Sequence, residues 1–145
     1  MNVNREGVVI LLEDSIGQIA MQLRDDRPDV AYRNCWGLFG GWMEINERAE
    51  DAVIREIKEE LGCTLDSSRL SFLKSHCGEE PGPWPVTSHI FRYPVSDELN
   101  EAVLVEGQAF QFISLADLEN RKIVPRHRTI LEWYRTLRGE SSARL

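Results

Sequence analysis

Residues 41 to 62 read GWMEINERAEDAVIREIKEELG and contain the strongest secondary-structure signal in the chain. From Asn46 to Leu61 there is neither glycine nor proline, so nothing interrupts a helix. Asn46 suits an N-cap, acidic residues follow in the first turn, and Gly62 provides a stop. The sequence therefore predicts a helix over residues 46–61.

The predicted helix has an apolar face bordered by carboxylates. At about 100° per residue, Val53, Ile57 and Leu61 fall on one side of the helix. Glu56 and Glu60 fall at the edge of that stripe rather than on the opposite, solvent-facing side. We therefore expect these two glutamates to be partly sheltered from water.

Glu56, Glu59 and Glu60 stand at i, i+3 and i+4, so their side chains are close neighbours on the helix. Most such charges simply face solvent on a helix surface, and this remains one interpretation of the three glutamates. However, sheltered carboxylates without a partner are costly, and a bound cation would neutralise them. Oxygen ligands without His or Cys favour Mg²⁺, with Mn²⁺ as a substitute, over zinc.

The rest of the chain predicts an α+β fold. Short apolar runs bounded by turn residues indicate strands at residues 8–12, 18–23, 70–75, 87–93 and 108–113. Ser114 begins a short capped helix, and Pro125 begins a last helix that reaches Leu137. A mixed β-sheet flanked by helices on both faces is the natural architecture.

Composition narrows the function classes. The 145 residues, 42% of them hydrophobic, predict a single domain over residues 1–145. A net charge of −7 argues against long nucleic acid as a partner. The lack of a long apolar run argues against a membrane protein, and the opening residues lack a signal peptide, so we expect a cytoplasmic location. Three cysteines without C-x-x-C spacing argue against a disulfide framework.

One longer pattern identifies a family. The pattern consists of Gly41, five residues, Glu47, seven residues and then REIKEELGC from Arg55 to Cys63. It resembles the signature of the MutT-like Nudix hydrolases. Cys63 replaces an aliphatic residue, Asn46 a frequent glycine and Phe39 a frequent proline. The resemblance implies an α/β/α sandwich in which a glycine loop and the following helix hold a divalent metal against a diphosphate.

The resemblance also implies roles for individual residues. Glu56, Glu59 and Glu60 would be metal ligands with the Gly41 carbonyl oxygen, and Glu56 would help to activate water. Arg55 would pair with Glu47 and fix the loop against the helix. From spacing alone, Asp51 and Glu59 are equally good partners for Arg55.

Other candidates lie in loops. Glu106 is a candidate metal ligand or general base, because the neighbouring Gly107 permits close approach to a ligand. Arg24 is a candidate for contact with a substrate phosphate, and Trp84 for stacking on a base. An exposed loop residue is the alternative for Glu106 and Arg24. The three histidines receive no catalytic role.

These features predict a metal-dependent hydrolase that cleaves the pyrophosphate linkage of a nucleoside diphosphate derivative. A nucleoside triphosphate, oxidised or not, ranks first, and a nucleotide sugar or ADP-ribose follows. The alternative is a non-catalytic nucleotide-binding sensor on the same fold. Specificity is expected in the loops at residues 24–34 and 78–85. The oligomeric state stays open, with a homodimer among the alternatives.

Overall fold

Seven strands form one mixed sheet in the computed structural model, which describes residues 6–78 and 87–139. Two α-helices and two short 3₁₀ segments accompany the sheet. The strands are β1 (Glu6–Glu13), β2 (Ile19–Leu23), β3 (Trp36–Gly37), β4 (Phe39–Trp42), β5 (Ser71–Cys77), β6 (Thr87–Pro94) and β7 (Ala109–Ile113). The helices are α1 (Ala49–Leu61) and α2 (Pro125–Leu137).

Strand β1 is the centre of the sheet and has three neighbours. Along one edge it pairs in parallel with β6 from Glu6 to Glu13. The other edge is divided, because β4 pairs antiparallel with residues Gly7 to Ile10 and β2 pairs only at Glu13. Strand β2 continues outward to β3 and β7. The division leaves β2 and β4 side by side without a ladder between them in the described sheet.

The core lies on both faces of this sheet. Val8, Ile10 and Leu12 of β1 point toward α1, whereas Val9 and Leu11 point toward α2. This alternation follows from the two-residue period of a strand, and every one of these side chains is buried. The predicted α+β fold, an α/β/α sandwich with a mixed sheet flanked by helices, is confirmed.

The start of α1 differs from the prediction. The helix begins at Ala49 instead of Asn46, and Arg48 is the N-cap without a side-chain capping bond. Asn46 has a φ of 66°, a left-handed conformation that an asparagine tolerates in a turn but that cannot belong to a helix. Its predicted capping role is therefore wrong, and residues 46–48 belong to the loop. Gly62 ends the helix as predicted, with a φ of 72°.

The remaining elements agree with the sequence. Each of the five predicted strands is present within two residues of its predicted limits, and α2 has Pro125 at its start. Ser114 caps a 3₁₀ segment, Leu115–Asn120. The sequence did not predict β3 and β4, which are short and rich in glycine. No helix in the described part of the chain is long and apolar enough to cross a membrane.

Candidate functional site

Two glycines of β4 allow the strand to approach its neighbours closely. A Cβ on Gly40, whose φ is 149°, would lie 2.0 Å from the carbonyl oxygen of Val8. A Cβ on Gly41 would lie 2.5 Å from the carboxyl carbon of Glu56. Both distances are shorter than any real contact, so position 40, which faces backbone, requires glycine, and a side chain at position 41 would displace the Glu56 carboxylate. The backbone at the glycine pair therefore lies very close to its neighbours, and at Gly41 the neighbour is a carboxylate.

Arg55 connects the loop before α1 to the carboxylates on the helix. Its Nε and Nη2 donate to the two carboxylate oxygens of Glu47 at 2.8 and 2.9 Å, and Nη2 also donates to the Trp42 carbonyl oxygen at 3.0 Å. These hydrogen bonds from Arg55 lower the pKa of Glu47, and Glu47 in turn raises the pKa of Arg55. The loop is thus clamped onto the helix by a charged, bidentate pair.

The same guanidinium reaches the helix carboxylates. Arg55 Nη1 lies 3.1 Å from Glu56 Oε2 and 3.3 Å from Glu59 Oε1. Arg55 therefore contacts Glu47, the partner that the resemblance implied, and Glu59, one of the two that spacing allowed; Asp51 is absent from its contacts in the described chain. Arg55 separates Glu56 from Glu59 and reduces the repulsion between them.

Glu60 is the most sheltered of the three helix glutamates. Its Oε1 accepts a hydrogen bond from the Gly40 N–H at 3.3 Å. Burial, followed by the negative charge of Glu56, raises the pKa of Glu60 to about 8. Burial also raises the pKa of Glu56, and Arg55 partly offsets this effect. Glu59, in contrast, has a side chain that is 57% exposed. The predicted sheltering of Glu56 and Glu60 is confirmed.

A loop closes over the carboxyl end of α1 and carries Glu106. The N–H groups of Val103 and Val105 donate to the carbonyl oxygens of Leu61 and Glu60, each at 3.1 Å. Gly107, with a φ of 97°, then turns the chain toward β7. Glu106 and Glu60 line the same cavity, and the charge of Glu106 contributes to the raised pKa of Glu60. The structure thus brings this sequence-predicted residue to the site.

A cavity of about 450 Å³ opens beside these carboxylates, a size typical of small-molecule sites. Arg24 lies on its wall, where its Nε donates to the Ala31 carbonyl oxygen at 2.6 Å, and so it is not simply an exposed loop residue. The cavity is lined by Gln22, Arg24, Asp25, Arg27, Asp29, Val30, Ala31, Gly41, Trp42, Glu60, Glu106 and Gly107. Trp84, the predicted stacking residue, lies outside the described residues. Among the described lining residues the aromatic one is Trp42, which the sequence reasoning missed.

A narrower recess of about 80 Å³ continues from this cavity. Gln22, Arg24, Gly41 and Glu60 line both spaces. The recess adds Ser88 of β6 and two residues at the start of α2, Arg126 and His127. The sequence reasoning treated His127 as structural, because nothing local in the sequence shows that the start of α2 reaches the glycine strand.

The donor set fits a hard divalent cation in an open site. In residues 6–78 and 87–139, no three acidic, histidine or cysteine side chains already surround a single point. Glu56, Glu60 and Glu106 nevertheless line one common space, and burial disfavours the negative charge of Glu56 and Glu60. Mg²⁺ keeps several waters and shares its shell with substrate phosphates, so a partial protein ligand set suits it.

The fold and the site together define a class of protein. An α/β/α sandwich presents a carboxylate-bearing helix, clamped by an arginine to a glycine strand, at the mouth of a ligand-sized cavity. The chain matches the NUDIX domain over residues 3–134 and therefore belongs to the Nudix family. The MutT-like resemblance predicted from the sequence is confirmed.

Known proteins resemble the chain at moderate identity. The nucleoside triphosphatase NudI of Escherichia fergusonii is 27% identical over 104 residues, which are 72% of this chain and 64% of that protein. The chain thus spans slightly less than two thirds of that relative's length. The MutT NUDIX hydrolase of Burkholderia pseudomallei is 26% identical, with a TM-score of 0.73 over 90% of this chain and 98% of that one. The MutT protein of Methanosarcina mazei Go1, 19% identical over 92% and 94%, shares the fold with a TM-score of 0.75.

Proposed function

We propose that this chain is a metal-dependent hydrolase that cleaves the pyrophosphate linkage of a nucleoside diphosphate derivative, with a nucleoside triphosphate as the first candidate. The observation that carries the proposal is that the side chains of Glu56 and Glu60 both lie against the glycine-rich strand β4. Both carboxylates are sheltered and have a raised pKa, and no cationic side chain is in hydrogen-bond contact with Glu60 in the described chain. A divalent cation would neutralise these sheltered negative charges and offer its remaining coordination positions to phosphate oxygens.

The residues divide into ligands and supports. Glu56, Glu59, Glu60, Glu106 and the Gly41 carbonyl oxygen would hold the ion. When bound, Mg²⁺ would supply a more acidic water and neutralise charge on the phosphates. Glu56 or Glu106 would accept the proton of the attacking water, since both are carboxylates beside the cavity.

Two further residues complete the assignment. Arg55 would act as a positioning residue that orients Glu56 and holds Glu47 against the helix, which is the role that the hydrogen bonds indicate. Arg24, which also lines the cavity, would bind a substrate phosphate.

Size and similarity support the ranking of substrates. A cavity of about 450 Å³ accommodates a nucleotide rather than a polymer, and the acidic net charge disfavours long nucleic acid. The relative NudI is described as a nucleoside triphosphatase, which supports our ranking of a triphosphate ahead of a nucleotide sugar or ADP-ribose. We further propose a cytoplasmic location and a single domain, with Mn²⁺ as a substitute for Mg²⁺.

The direct test is product analysis on a substrate panel. Nucleoside triphosphates, nucleotide sugars, ADP-ribose and dinucleoside polyphosphates would be incubated with Mg²⁺ or with chelator, and the products separated by chromatography. We expect cleavage of one class that requires the metal. Binding of nucleotides without cleavage across the panel would contradict the proposal and identify a sensor module instead.

A variant connects this activity to the site. Glu60→Gln keeps the shape of the side chain but removes one charge, so we expect turnover and Mn²⁺ affinity to fall by about a hundredfold or more. Glu132→Gln, on the exposed side of α2, is the matched control and should retain both. Unchanged turnover in Glu60→Gln would exclude Glu60 as a ligand.

A further inference from the structure

A closed loop forms one wall of the cavity, and we call residues 24–34 the cavity loop. The Arg24 N–H donates to the Cys35 carbonyl oxygen at 2.9 Å, and the Asn34 N–H donates to the Arg24 carbonyl oxygen at 3.2 Å. These two hydrogen bonds join the ends of the loop at a neck, as in other compact surface loops. Residues 24, 25, 27 and 29–31 line the cavity, so the position of the neck determines where this wall stands.

Gln108 connects the neck of the cavity loop to the segment that carries Glu106. Its Nε2 donates to the Arg24 carbonyl oxygen at 2.8 Å and to Asn34 Oδ1 at 2.7 Å. A carboxamide NH₂ group has two N–H donors, so both hydrogen bonds form together. The main-chain N–H of Gln108 also donates to the Leu23 carbonyl oxygen at 2.8 Å. One residue thus bonds both ends of the neck and the strand that leads into it.

Glu106 lies between this connection and a second one on α1. The Val105 N–H donates to a carbonyl oxygen in the last turn of α1 at 3.1 Å. Gly107, on the other side of Glu106, has little freedom to move, because a Cβ there would lie 3.0 Å from the Leu23 carbonyl oxygen. Glu106 and Gly107 alone separate the anchored Val105 from the anchored Gln108. A very short span of chain therefore carries the carboxylate.

The carboxylate of Glu106 is placed by the main chain rather than by side-chain partners. Within residues 6–78 and 87–139, the Glu106 side chain makes no hydrogen bond or ion pair. A carboxylate binds Mg²⁺ at about 2.0–2.1 Å, so a displacement of the main chain by about 1 Å removes the contact. The bonds from Gln108 to the neck are thus one of two supports for a proposed metal ligand, and the bonds to α1 are the other.

We propose that Gln108 is a positioning residue that holds the cavity loop and the Glu106 carboxylate in one fixed arrangement. Gln108 lies outside the described lining of both the cavity and the recess, so it acts through the elements that it joins. Loss of its amide should therefore affect the cavity wall and the metal ligand together. This inference depends on the proposed function, because it takes the cavity as the nucleotide site and Glu106 as a metal ligand.

Two substitutions of Gln108 test its hydrogen bonds. Gln108→Glu keeps the shape of the side chain but removes both donors, and Gln108→Met removes them without adding a charge. In both variants we expect the Kd for Mn²⁺, measured by electron paramagnetic resonance without nucleotide, to rise about tenfold. We also expect the backbone amides of residues 24–35 to exchange hydrogen about tenfold faster, measured by mass spectrometry. Wild-type values for either quantity in both variants would overturn the inference.

Substitutions of Asn34 separate the two sides of the connection. Asn34 has a φ of 63°, which glycine adopts readily, so Asn34→Gly removes the acceptor without straining the backbone. Gln108 then keeps its bond to the Arg24 carbonyl oxygen. We therefore expect faster exchange in the cavity loop, with an affinity for Mn²⁺ within about twofold of the wild type. Asn34→Asp keeps an acceptor oxygen and should exchange as slowly as the wild type. Equal exchange rates in the two variants would overturn the inference.

A matched control lies three residues further along the chain. Gln111 accepts a hydrogen bond from Arg121 at 3.2 Å and is outside the described lining of the cavity, so Gln111→Met should leave both quantities at wild-type values. Thermal melting would verify that the Gln108 variants are folded, and if they are not, the Asn34 pair decides.

The two readouts separate this inference from the proposed function, because neither of them requires cleavage. The expected shifts in a chain that cleaves no phosphate anhydride would keep the positioning role and remove the hydrolase. Cleavage by a chain whose Gln108 variants show no shift would keep the hydrolase and remove the positioning role.

Discussion

The carboxylate of Glu56 packs directly on the main chain of Gly41, and a Cβ at position 41 would lie 2.5 Å from its carboxyl carbon. Gly41→Ala should therefore push Glu56 away from its place beside the cavity. Because small misplacements of a catalytic group are costly, we expect turnover to fall about a hundredfold. Steady-state kinetics on the preferred substrate would measure this.

A double mutant separates this cause from general damage. If Gly41→Ala acts through Glu56, adding it to Glu56→Gln should reduce turnover little further. Fully additive losses would show that the alanine acts elsewhere.

Arg55→Lys should weaken both the loop and the site. A lysine cannot reproduce the two parallel hydrogen bonds to Glu47 or reach the Trp42 carbonyl oxygen at the same time. We expect a loss of about 1–2 kcal/mol in the free energy of unfolding, measured by denaturant titration, together with a lower kcat. Arg48→Lys, at an exposed arginine before α1, should change neither quantity by a comparable amount. Wild-type stability in Arg55→Lys would contradict the clamp.

Glu60→Gln should stabilise the metal-free protein. The pKa of Glu60 is about 8 in the folded state, against an ordinary value of 4.5. Between these values the folded chain keeps a proton that the unfolded chain releases, so the stability contributed by Glu60 falls as pH rises from about 4.5 to about 8. Glutamine does not titrate, so the variant does not lose stability in this way. We expect its Tm at pH 8 without divalent metal to be higher than that of the wild type by about 3 °C or more.

Two comparisons would test that explanation. The Tm difference should be much smaller at pH 5, and added Mn²⁺ should stabilise the wild type more than the variant. An equal Tm difference at both pH values would contradict it.

Glu13 should make the opposite contribution to pH dependence. Glu13 is 7% exposed, and its carboxylate accepts hydrogen bonds from Arg92 at 2.7 Å, from Arg138 at 2.6 Å and from the Tyr134 hydroxyl. Burial raises the pKa of Glu13, but the hydrogen bonds from Tyr134 and Arg92 outweigh it and lower the pKa below its ordinary value. Its stabilising effect is thus complete above the ordinary pKa and is lost as pH falls through the lowered value.

Glu13→Gln should therefore cost about 1–3 kcal/mol at pH 7 and much less in acid. Denaturant titrations at pH 7 and at pH 3 would measure this. Glu119→Gln is the control, because the exposed carboxylate of Glu119 lies 3.4 Å from Arg135. This substitution should lower the free energy of unfolding by less than about 1 kcal/mol. A loss in Glu13→Gln that did not depend on pH would indicate a packing effect alone.

The sequence predicted α1 and its carboxylates well, because both depend on local spacing. A 3.6-residue period places Val53 and Ile57 in the core and Glu60 at its border regardless of the rest of the fold. The start of the helix was predicted wrongly, because a favourable cap type at Asn46 carries no information about the backbone turn that the loop adopts.

The features that the sequence did not show depend on contacts between distant segments. Strand β4 has only four residues and is a strand because it pairs with β1. The hydrogen bond between Leu38 and His127 joins residues 89 positions apart. No spacing rule identifies such a pair, so Arg126 and His127 could be recognised as cavity residues only from the structure.

The divided edge of β1 has a consequence for how this protein can diversify. The groups proposed for chemistry are on α1 and β4, whereas Arg126 and His127, which line the adjoining recess, are at the start of α2, so the two sets belong to segments far apart in the gene. Substitutions at residues 126 and 127 would alter the lining of the recess and leave the carboxylates of α1 in place. A library limited to those two codons is accordingly an economical way to vary the shape and charge of the recess.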